Sequence, residues 1–89
     1  MNFKEVAEKV RSDLAEVIGK KSESVTKLYK DEKGWHAKID VLEVSKIPAA
    51  TDIIGDYEVL LDDTGNLVSF EKKGTRLRGG TGELPDSNS

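Results

Sequence analysis

The chain has 89 residues, with 14 Lys and Arg against 17 Asp and Glu for a formal net charge of −3, and no cysteine. This length allows one small domain, and the absence of cysteine excludes disulfides, thiolate nucleophiles and cysteine-based zinc or iron–sulfur sites. A pI near 5.1 argues against bulk attraction to nucleic acid.

The charge is unevenly spread. Residues 1–33 carry 8 basic and 7 acidic groups, residues 34–69 carry 2 and 7, and residues 70–89 carry 4 and 3. No apolar run is long enough to cross a bilayer. Lys4, Glu5, Glu8 and Lys9 interrupt the place where the apolar core of a signal peptide would lie, so a cytoplasmic protein is expected.

Phe3, Val6, Ala7, Val10, Leu14, Val17 and Ile18 repeat at helical spacing and predict a helix over 3–18. Asn2 is placed to cap its start and Gly19 to stop it. Glu5–Lys9 and Glu16–Lys20 are expected to pair along the helix. Four strands follow, at about 24–30, 35–44, 57–62 and 67–73. In the second, Trp35, Ala37, Ile39 and Val41 alternate onto one face, while Leu42 and Val44 fall out of step, which calls for a bulge or for cover on both faces.

Asp31 to Gly34 and Asp62 to Asn66 read as turns. Ser45 to Asp56 is too long for a tight hairpin, and its Ile47, Ile53 and Ile54 are expected to pack against the domain. From Gly79 onward glycine, serine and proline dominate, so 79–89 is expected to be a disordered, flexible tail beyond a domain spanning 1–78. The economical arrangement is α+β: an N-terminal helix packed on a four-stranded antiparallel meander sheet, a layout that also resembles PepSY- or cystatin-like domains through its Tyr57-Glu58-Val59, Leu61-Asp62 and Gly65 hairpin.

No catalytic, cofactor or metal site stands out. His36 is the one imidazole, lies opposite the Trp35 face and reads as a solvated surface histidine. Asp62, Asp63 and Asn66 lack the spacing of a calcium loop, and no helix follows the glycines at 79–82 to make a phosphate cradle. The cluster Lys72, Lys73, Arg76 and Arg78 offers a docking strip for an acidic protein surface, against the plainer reading of a charged sheet edge. Reversing all four charges is expected to leave the fold intact and to abolish partner co-purification. Trp35 is the other candidate docking residue, against the plainer reading of a core aromatic beneath the helix.

One stretch carries a family resemblance. Gly34-Trp35, Glu43, Ile47-Pro48, Asp52-Ile53-Ile54, Tyr57-Glu58-Val59, Leu61-Asp62, Gly65-Asn66-Leu67, Phe70, Arg76 and Arg78 together resemble the gas vesicle protein O family, GvpO, across residues 34–78. The resemblance implies a non-enzymatic assembly factor for gas vesicles, associated with them in the cytoplasm. Its implied partners are other accessory proteins, including the ATPase GvpN. It brings no catalytic residues to transfer. Leu77 departs from the aromatic residue often found near the family's arginines. The alternative is a generic PepSY- or cystatin-like module that binds a peptide or protease.

Overall fold

The first element, α1, runs Phe3–Ile18 in a computed structural model that describes residues 2–79. Its start is fixed by a reciprocal cap: Glu5 N donates to Asn2 Oδ1 at 2.9 Å, and Asn2 N donates to Glu5 Oε1 at 3.0 Å. Its end is fixed by Gly19, whose φ of 69° is left-handed and whose N–H returns to the Ala15 carbonyl. Glu5 is therefore occupied by the cap, and the ion pair along the helix joins Lys9 to Asp13 at 2.7 Å. Lys20 reaches instead to Glu43. The expected Glu5–Lys9 and Glu16–Lys20 pairs are thus displaced by better-placed partners.

Four strands follow: β1 Lys21–Asp31, β2 Gly34–Val44, β3 Ile53–Leu61 and β4 Leu67–Leu77. They form one antiparallel meander in the order β1-β2-β3-β4. β1 begins earlier than the alternation predicts, β3 starts at Ile53 where the sequence suggested Tyr57, and β4 runs on to Leu77. The predicted interruption at Leu42 is a bulge at Glu43, the extra residue between the Leu42–Ile54 and Val44–Ile53 pairs.

The helix lies across one face of the sheet. Val6, Val10 and Leu14 meet Trp35, Ala37, Ile39 and Val41 of β2 and Tyr57, Val59 and Leu61 of β3 in a single core. The register places these strand residues opposite one another, Trp35 against Leu61, Ala37 against Val59 and Ile39 against Tyr57, so period-two alternation in two neighbouring strands builds one apolar floor. At one end of that floor Gly34 takes φ 130°, and a Cβ there would overlap the Leu61 carbonyl, so the turn accepts glycine alone.

Between β2 and β3 the chain makes a loop containing a short 3-10 turn, Ala49–Thr51, with a cis Ile47–Pro48 peptide. Ile53 and Ile54 enter β3, with Ile54 fully buried, but Ile47 is 100 % exposed, contrary to the packing expected of it. The expected tail lies outside the described residues except for Gly79, whose N–H donates to the Ala50 carbonyl at 2.9 Å.

Candidate functional site

β4 is an outer strand, and together with the residue just after it delivers the four cations singled out in the sequence. Each finds a carboxylate. Lys72 Nζ lies 3.2 Å from Glu43 and Lys73 Nζ 3.0 Å from Glu71. Arg76 grips Asp40 with both terminal nitrogens, at 3.1 and 2.7 Å, the paired geometry that matches guanidinium to carboxylate. Arg78 bridges two acids, Glu23 at 2.6 Å and Asp52 at 3.0 Å. Its hydrogen bonds to Glu23 and Asp52 hold its pKa above the usual arginine value, as the bond to Asp40 does for Arg76. The cluster is therefore an ion-paired seam that straddles the sheet, with Lys72–Glu43 on the helix side and Arg76–Asp40 on the other face, while Lys73–Glu71 is an exposed pair within β4.

The carboxylates of this seam carry the local structure. Glu43 is nearly buried, with 6 % of its side chain exposed. Burial alone would raise its pKa, but hydrogen bonds from Lys20, Tyr57 and Lys72 outweigh that and hold it below the ordinary value. Tyr57 Oη donates to Glu43 Oε2 at 3.0 Å. Gly55 leaves the room this needs, since a Cβ there would collide with the Glu43 carboxylate.

Asp52, 5 % exposed, organises the β2–β3 loop. Lys46 N donates to its Oδ1 at 2.7 Å and Arg78 Nε to its Oδ2 at 3.0 Å, while Arg78 N donates to its carbonyl at 2.9 Å. The Lys46 amide, followed by Arg78, keeps the Asp52 carboxyl below its usual range. Thr51 donates twice to the Pro48 carbonyl, from N at 2.9 Å and Oγ1 at 2.7 Å. Arg78 thus acts first as a tie for this loop, a role that sequence separation concealed.

Trp35 lies under the helix. It is 6 % exposed, meets Phe3 edge-on at 5.0 Å between ring centroids, and presents no open face to a partner. His36, expected in solvent, is half-buried and engaged: Nε2 lies 2.9 Å from Asp31 Oδ1, and the ring stacks on Tyr29 at 4.7 Å. The His36 contact, followed by the Lys33 amide, lowers the Asp31 pKa. Beside this pair, on the sheet face away from the helix, is an open groove of about 320 Å³ lined by Tyr29, His36, Lys38, Leu60, Glu58 and Glu71, among others. Glu58 and Glu71 stand directly opposite each other across β3 and β4, a repulsive arrangement. Among the described residues no cluster of three or more His, Asp or Glu could hold a metal ion, and no helix is long and apolar enough to cross a membrane.

Comparison with known proteins decides the family. The family described as gas vesicle synthesis protein GvpO matches residues 1–82. This chain belongs to the GvpO family. Its relatives include gas vesicle protein O of a Streptomyces species, 34 % identical over 61 residues, which cover 68 % of this chain and 48 % of that protein. Gas vesicle protein O1 of Halobacterium salinarum is 30 % identical over 63 residues, covering 71 % of this chain and 53 % of the relative. This GvpO chain therefore spans about half the length of those two relatives in the matched region. No solved structure matches it, and the expected PepSY- or cystatin-like likeness gains no support.

Proposed function

We propose that this GvpO-family protein is a non-enzymatic accessory factor in gas vesicle formation and that it acts by contact with other proteins of the vesicle set. The observation that carries this reading is the family match over residues 1–82, together with relatives named gas vesicle protein O. The physical layout supports a contact role. One sheet face is given to the core, the cations of β4 are committed to ion pairs, and Arg78 just after it braces the loop that follows β2.

The contact surface we favour is the end of the sheet where the β2–β3 loop, the start of β1 and the end of β4 come together. An acidic partner binding the strip itself would have to displace Glu43, Asp40, Asp52 and Glu23, which limits direct docking on Lys72, Arg76 and Arg78. The ATPase GvpN is the first partner to test. In a host with the complete vesicle gene set, clean deletion of this gene abolishes or sharply reduces vesicles, read by flotation and pressure-sensitive light scattering, and the intact gene restores them. Normal vesicles after deletion overturn the proposal.

A further inference from the structure

The β2–β3 loop exposes what a soluble domain normally hides, and it does so rigidly. Ile47 is 100 % exposed, and Pro48, Ala49 and Ala50 beside it are exposed too, as is Val44 at the end of β2. Single exposed apolar side chains are ordinary. A contiguous apolar tip on a pinned loop is a different matter. Seven hydrogen bonds hold this loop, through Lys46, Pro48, Ala49, Ala50, Thr51 and Asp52, and three of them come from Arg78 and Gly79, just past the end of β4. Little conformational freedom remains for binding to remove, which is what makes a preorganised anchor effective.

The charge around the tip selects the kind of surface it fits. The carboxylates at this end, Glu43, Asp52, Asp40 and Glu23, are held by Lys20 and Lys72, by Arg78, and by Arg76. Lys46, next to Ile47, and Lys21, at the start of β1, are exposed, and among the described residues neither joins an ion pair. An apolar tip flanked by uncommitted cations complements an apolar recess edged with carboxylates.

We propose that the Ile47 tip is a preorganised anchor that inserts into an apolar pocket, rimmed by carboxylates, on another protein of the gas vesicle set. This rests on the functional reading above for the source of the partner, though not for the existence of the anchor. Because Ile47 touches nothing, Ile47→Asp and Ile47→Val both keep the melting temperature within about 2 °C of the parent.

In cells lacking the native gene and complemented with each variant, Ile47→Asp lowers vesicle yield by about tenfold or more, as loss of an interface anchor does. Ile47→Val stays within about fourfold, because it removes only one methylene from the anchor. Lys21→Glu combined with Lys46→Glu lowers yield by about threefold or more. Full yield from Ile47→Asp overturns the inference.

A photo-crosslinking residue at position 47 separates the possible occupants. In producing cells the adduct maps by mass spectrometry to a vesicle protein beside acidic residues. No adduct, or one only with an unrelated protein, overturns the inference, and a self-adduct in the purified chain overturns the choice of partner in favour of a second copy. If deletion of the gene leaves vesicles unchanged, the functional reading fails. If deletion removes them and Ile47→Asp restores them, the anchor alone fails.

Discussion

Arg78 looks in the sequence like one of four cations lining an exposed strip, yet its guanidinium joins Glu23, Asp52 and the end of β4. Those partners lie 55 and 26 residues away along the chain, and no local pattern announces them. The same holds for Arg76 with Asp40 and Lys72 with Glu43. Reversing all four charges, expected from the sequence to be harmless to the fold, instead sets new carboxylates against half-buried old ones. The quadruple variant Lys72→Glu, Lys73→Glu, Arg76→Glu and Arg78→Glu should melt more than about 10 °C below the parent. Lys73→Glu alone, which faces the exposed Glu71, should shift melting by no more than about 2 °C. Equal melting of the quadruple variant and the parent would show that the seam carries no stability.

Among the elements, those with a strict period are legible. The helical repeat and its two caps placed α1 from Phe3 to Ile18, and the alternation from Trp35 to Val41 placed the core face of β2. Strand ends were hidden where the predicted strands, 57–62 and 67–73, stop short of a glycine. Gly55 and Gly74 sit inside β3 and β4, and Gly55 is there because Glu43 needs its space. Asp52 and Ile47 were missed as site residues because the loop is organised by a distant arginine. The outer strands also show how an open edge is managed. Bulges interrupt β1 at Glu23 and Thr26 and β4 at Val68 and Lys73, and Arg11 reaches the Glu23 carbonyl at 3.4 Å. The β1–β2 turn makes a sharp prediction: Gly34→Ala combines a strained φ with overlap on Leu61 and should cost about 3 kcal/mol in a urea unfolding titration. A cost below about 1 kcal/mol would mean that the turn relaxes freely.

At the scale of the whole molecule, stability depends on carboxylates kept ionised. Asp31, Glu43, Asp52 and Asp62 all titrate below their ordinary values. For Asp62 the leading cause is the Asn66 amide, followed by the Thr64 side chain. In the unfolded chain such groups titrate near about 4, so the folded state binds fewer protons across the acid range. Their contribution is complete above about pH 5 and is lost as pH falls through the lowered folded values. The urea midpoint should therefore hold steady from about pH 7 to 5.5 and fall continuously toward pH 3. A midpoint that rose on acidification would contradict the ion-paired seam.

The grip of Arg78 on Asp52 also orders events during synthesis. The first hairpin and the apolar tip leave the ribosome before the guanidinium that joins Glu23 to Asp52, so a nascent chain stopped anywhere short of that arginine carries the tip on a loop missing three of its seven hydrogen bonds. The loop's full bracing thereby waits on the two residues that follow the last strand.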